Sequence, residues 1–132
     1  MSAYGTTVVV RRPFDETVAA VREALADQGF GVLTEIDVRA TMKAKLDIDV
    51  PAQMILGACN PPLAHRALTV EPSIGLLLPC NVVVREGDRG IIVEAIDPAM
   101  LVGLSGNQKL EPIATEVGEK LAAVIDALGG ER

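Results

Sequence analysis

Aromatic side chains are nearly missing from this sequence. Its 132 residues hold one tyrosine (Tyr4), two phenylalanines (Phe14 and Phe30) and no tryptophan. A platform that stacks nucleobases needs several such rings. Positive charge is also scarce: 12 Lys and Arg face 18 Asp and Glu, a net charge of −6. Nucleic acid demands the opposite balance, so no nucleic-acid partner is expected. Two cysteines, Cys59 and Cys80, are too few for the disulfide framework of a small secreted protein. The longest apolar stretch, 74–84, is broken by Gly75, Pro79 and Asn81. It falls short of the roughly 20 residues that span a bilayer, so no membrane partner is expected. The first residues show no basic start followed by an apolar segment, and the expected location is the cytoplasm.

Apolar residues are plentiful, at 49%. A chain of this length forms one domain, 1–132, able to bury a core without a disulfide or a metal. Residues 6–12 are rich in Val and Thr between Gly5 and Pro13, and they predict a first strand. Phe14, Val18, Val21 and Leu25 recur at helical spacing, so the first helix is expected over 13–28, stopped by Gly29. Residues 30–37 alternate as a second strand. A short helix with Asp37 as its cap follows, then a third strand over 53–59. Asn60-Pro61-Pro62 opens a second full helix with Leu63, Ala64, Ala67 and Leu68 on one face. Residues 73–78 are expected to form an irregular loop. Residues 80–85 and 90–96 predict a hairpin across Glu86-Gly87-Asp88-Arg89. One helical turn is expected over 99–102 and a loop over 103–107. Leu110, Ile113, Val117, Leu121, Val124 and Leu128 make a closing helix that ends at Gly129-Gly130. The order β-α-β-(α)-β-α-β-β-α predicts an α+β domain on a mainly antiparallel sheet, with the long first and last helices on one face.

Three strands carry apolar residues at consecutive positions: Val8-Val9-Val10, Val82-Val83-Val84 and Ile91-Ile92-Val93. Both faces of those strands want burial. The helices suffice for one face, and a homodimer is expected to cover the other.

The chemistry concentrates in two segments. Cys59 precedes Asn60-Pro61, a residue pair suited to the N-cap and first position of a helix. A thiol just before the positive end of a helix tends toward a lowered pKa. Pro61 and Pro62 lack N–H groups, which removes donors that a phosphate would use. Pro79-Cys80-Asn81 enters a strand 21 residues later. If the two corners meet, Cys59 and Cys80 form a ligand site with Asn60, Pro61 and Asn81, or hold a soft metal such as copper(I) or zinc. Glu94, a carboxylate in an otherwise apolar strand, is either on an exposed face or buried with a partner, where it would serve as a further ligand or base. His65 is expected on the outer face of its helix. Three functions remain open: a module binding a small molecule or soft metal, an enzyme using a thiol as nucleophile or redox group, and a structural domain in which the asparagines fix strand–helix junctions.

The stretches Ile55-Leu56-Gly57-Ala58-Cys59-Asn60-Pro61-Pro62-Leu63-Ala64 and Ile74-Gly75-Leu76-Leu77-Leu78-Pro79-Cys80-Asn81-Val82-Val83-Val84 resemble the signature of the domain of unknown function 302 family. Gln28-Gly29-Phe30, Ala95-Ile96-Asp97-Pro98 and the start of the last helix, Leu110-Glu111-Pro112-Ile113-Ala114, are similar too. Gln53 departs from the family, whose members often carry an aromatic beside that strand. The resemblance implies a small α+β fold found in bacteria and archaea, and dimers. It implies that Cys59, Asn60, Pro61, Pro79, Cys80 and Asn81 belong together, and it implies no activity.

Overall fold

The computed structural model describes residues 2–131. Ten elements follow in order: β1 (Gly5–Val10), α1 (Phe14–Asp27), β2 (Gly31–Asp37), α2 (Val38–Leu46), β3 (Gln53–Cys59), α3 (Pro61–Val70), β4 (Cys80–Glu86), β5 (Ile91–Ile96), α4 (Ala99–Ser105) and α5 (Glu111–Ala127). Short 3-10 turns at Pro72–Leu77 and Gln108–Leu110 lead into β4 and α5. The five strands form one sheet in the order β1-β5-β4-β3-β2, and every neighbouring pair is antiparallel. This is the α+β architecture that the hydrophobic periodicities predict.

The differences are local. Strand β1 stops at Val10 and not at residue 12. Arg11 is exposed and Pro13 sets up α1 with its carbonyl, which accepts from the Thr17 amide and hydroxyl at 3.0 Å each. Residues 73–78, expected as irregular, mostly fall in the 3-10 turn. Helix α4 runs on through Gly103 to Ser105 and ends where Gly106 takes a φ of 67°. Gly103 is carried inside the helix, where glycine costs roughly 0.5–1 kcal/mol relative to alanine and does not by itself end it.

The core lies between the sheet and the long helices. Helix α1 packs against β2 and β4, α5 against β1 and β5, and the two helices touch each other. Val18, Val21 and Leu25 of α1 and Val117, Leu121, Val124 and Ile125 of α5 are buried. Below them runs a row of facing residues: Met54, Val84, Val93 and Val8. The three buried members of this row alternate with half-buried neighbours, Val9, Val83 and Ile92, on the other face. The pleat thus divides the consecutive apolar positions between two faces.

That second face carries the row Ile36, Ile55, Val83, Glu94 and Thr7. Glu94 accepts from Arg85 at 3.1 Å and from the Thr7 hydroxyl at 3.1 Å. The two outer strands differ. Strand β1 is bridged at Val9 by Glu131, through hydrogen bonds of 2.6 and 2.9 Å. Strand β2 has a bulge between Val32 and Thr34 and an unpaired outer edge among the described residues.

Candidate functional site

At one end of the sheet β3 finishes, β4 begins and α3 starts. Ala58 faces Cys80 in the register, and Cys59 is the next residue. Asn60 adopts extended backbone, as a residue before proline must, and its side-chain oxygen accepts from the Leu63 amide at 3.4 Å. Its amide nitrogen donates to the Gln28 carbonyl at 3.4 Å. Gln28 belongs to the turn that closes α1, where Gly29 takes a φ of 81° that side chains rarely adopt. Asn60 therefore caps α3 and ties it to the α1–β2 corner.

Above this corner lies a cavity of about 310 Å³. Its walls come from four directions. Ala58, Cys59 and Cys80 form the sheet end. Leu63, Ala64, Ala67 and Leu68 come from α3. Ile113, Ala114 and Val117 come from α5. Phe30, Leu33, Asn60, Gly75, Leu78, Pro79, Leu101 and Leu110 complete the lining. Ala58, Ala67 and Ala114 bring one side-chain carbon each to the lining where α3 and α5 approach the sheet end, which leaves room there. Leu33 and Leu68 line the cavity and are 66% and 41% exposed, so the cavity reaches solvent beside them. No charged side chain of the described residues lines it.

Both thiols are free, and neither sulfur has a hydrogen-bond partner among the described residues. Cys80 is 6% exposed. Burial, with the nearby Cys59 adding to it, pushes its pKa from 9.0 up to about 11, so it is a neutral thiol at physiological pH. Cys59 is half-buried.

The expected site residues thus divide. Cys59, Asn60 and Cys80 meet at the cavity, with Pro79 beside them; Pro61 sits next door as the exposed first residue of α3. Asn81 and Glu94 do not join them. The pleat places Asn81 opposite Gly57 on the second face, where it is exposed, and Glu94 opposite Val83 on that same face, paired with Arg85. The expectation that Glu94 extends the thiol site is corrected accordingly: its neighbours Val93 and Ala95 face the core, so strand parity sends it away. His65 is exposed and is not part of the lining. Among the described residues no group of three or more His, Cys, Asp or Glu could hold a metal ion. None of the helices there is long and apolar enough to cross a membrane.

The walls supplied by α5 and by the Leu101 and Leu110 region were not anticipated as site residues. The stripe of α5 reads as core, and much of it is core. The available signal was the small side chain at Ala114, which shares the lining with Ala64 and Ala67 of α3.

A search of curated proteins gives no match. Among solved structures, the crystal structure of an uncharacterized conserved protein of the DUF302 family from Bacillus stearothermophilus is similar, with a TM-score of 0.89 and 32% sequence identity, covering 96% of this chain and 99% of that one. Residues 6–128 match the family described as Domain of unknown function DUF302, and the chain belongs to that family.

Proposed function

We propose that this chain is a small-molecule-binding domain and that its site is the cavity beside Cys59 and Cys80. The observation that carries this reading is a space of about 310 Å³ walled by apolar side chains and open to solvent at exposed leucines. Ligand pockets begin near this size, and a dry cavity of about half the volume accepts benzene. The ligand is therefore uncharged and mostly apolar, on the scale of one ring with a short chain. A carboxylate or phosphate would find no cation in the lining, and an isolated buried charge is costly. The start of α3 offers little to an anion either, because Pro61 and Pro62 have no N–H to donate. Asn60 is the single amide side chain in the lining. Neither His65 nor Glu94 stands beside the thiols, which favours binding over thiol catalysis assisted by those residues.

Thermal unfolding in the presence of propylbenzene tests the site, with benzoate as the charged comparison. Propylbenzene is expected to raise the melting temperature in a saturable way and benzoate to leave it unchanged. No shift with propylbenzene ends the proposal.

The second face of the sheet is proposed to meet a second copy of the chain. Val9, Ile55, Val83, Ile92 and Ile96 lie there half-buried, and Ile36 is exposed. The two charged groups among them, Arg85 and Glu94, neutralise each other within one chain, so nothing in that patch repels its own copy. Light scattering at micromolar concentration is expected to give twice the 13.9 kDa of one chain; the mass of a single chain removes this part of the proposal.

A further inference from the structure

We propose that Cys59 and Cys80 act together as a dithiol that captures, inside the apolar cavity, a soft electrophile forming two bonds to sulfur and uncharged once bound, and that trivalent organoarsenicals are the class that fits. The inference rests on the cavity being a ligand site and adds the chemistry of its ligand.

Position comes first. Cys59 is the last residue of β3 and Cys80 the first of β4; the shared lining and not the register brings them together, since both residues wall the one cavity and Cys59 lies near enough to raise the proton affinity of Cys80. Cys80 is 94% buried, the complement of its 6% exposure, and has no hydrogen-bond partner among the described residues. Cys59 is half-buried and shares the lining with exposed Leu33, so a reagent arriving from solvent has a thiol to meet before it reaches Cys80.

Coordination number comes next. Thiolate sulfur selects soft centres. A structural zinc ion takes four protein ligands, and the described residues offer no cluster of three or more donors. Two thiols satisfy a centre that needs two.

Charge decides among such centres. Copper(I) between two thiolates leaves one negative charge in a lining that holds no cation. Burying that charge unpaired is unfavourable. An arsenic(III) atom carrying one organic group forms a neutral bis-thiolate, and the organic group occupies the apolar space. The high proton affinity of Cys80 is no obstacle, since its proton leaves as the bond to arsenic forms.

The step balances without an oxidant. An arsenoso compound, R–As=O, reacts with the two S–H groups. Two As–S bonds form, the As=O bond and both S–H bonds break, and both protons depart with the oxygen as water. Arsenic stays trivalent and both sulfurs stay at the thiolate level.

Phenylarsine oxide is the probe. The intact protein and the variants Cys59→Ala and Cys80→Ala are treated with it in the presence of excess glutathione. Mass spectrometry under non-denaturing conditions, titration of free thiols and the propylbenzene melting shift are then recorded. The expected result is one phenylarsenic group per chain, loss of both titratable thiols, and retention against glutathione. Each single variant is expected to surrender the arsenical to glutathione, and a cooperative urea transition shows that it is folded. The inference is overturned if the parent protein loses the arsenical as readily as the variants, if one thiol stays titratable, or if one arsenic bridges two chains. A retained propylbenzene shift in that case leaves the cavity proposal standing alone. A missing shift together with no adduct overturns both, and a stable adduct without the shift removes the apolar site and with it the claim that the arsenical is held inside the cavity.

Discussion

Replacing Ala67 by leucine separates an open binding space from a merely loose core. Ala67 is 3% exposed, lies in the middle of α3 and lines the cavity. Leucine adds three carbon atoms and is nearly as good a helix former as alanine. Each buried methylene contributes about 0.8 kcal/mol, so the ceiling is about 2.4 kcal/mol. Ordering the leucine side chain takes back about 0.5–1 kcal/mol. The net expectation is a stabilisation of about 1.5 kcal/mol, or roughly 5 °C in melting temperature for a domain of this size. The same substitution fills the space a ligand would use, so the propylbenzene shift should vanish as intrinsic stability rises. Urea unfolding gives the first quantity and thermal unfolding with ligand gives the second. Forcing methylenes into a filled core costs about 1–3 kcal/mol instead. A destabilised Ala67→Leu protein would therefore refute the claim that the 310 Å³ is accessible volume. A stabilised variant that still binds propylbenzene would move the binding site elsewhere.

Two further expectations concern the residues at the cavity edge. Burial raises Cys80 from 9.0 to about 11; the folded chain then holds a proton that the unfolded chain releases. The stability this group contributes is full below pH 9.0 and declines as pH rises from there to about 11, by up to about 3 kcal/mol. Urea titrations of the parent protein are expected to lose that much more than those of Cys80→Ala over the interval, and parallel curves would show that no such proton is held. Asn60→Ala removes the cap of α3 and the tie to Gln28, and should cost about 1 kcal/mol in urea unfolding. Asn60→Asp keeps the acceptor for Leu63 but lacks the donor to Gln28 and should fall between them; equal midpoints for all three proteins contradict the capping role.

The fold was legible where one period dominates. The stripe Leu110 to Leu128 and the spacing Phe14 to Leu25 each mark a helix with one buried face, and both helices stand where expected. The junction at Cys59-Asn60-Pro61 was legible because proline and asparagine constrain the backbone directly. Faces of strands were harder. Three adjacent valines look the same from either side, so Val83 and Val84 gave no sign of which one meets α1. Glu94 was legible through parity, given that Val93 and Ala95 are core; without knowing the core face, its carboxylate could be placed on either side. The cavity was least legible. It is a shortfall of volume between α3, α5 and the sheet end, produced by alanines that each fit an ordinary helix pattern. Only their meeting in space leaves a gap.

The two rims of the sheet carry a consequence for behaviour at high concentration. Cross-β fibres grow by adding strands at both borders of a template. Here one border is stoppered: Glu131 holds the amide and carbonyl of Val9, and a side chain at Gly130 would run into the Val9 carbonyl. The other border is distorted by the surplus residue at Leu33 and guarded by Glu35, which is engaged with Arg22. Natural sheets protect their margins with such irregularities and charges. Deleting Leu33 would straighten that margin, and the molecule would then offer a regular ribbon of unsatisfied peptide groups on one side only, a seed able to recruit a neighbour yet poorly equipped to keep extending.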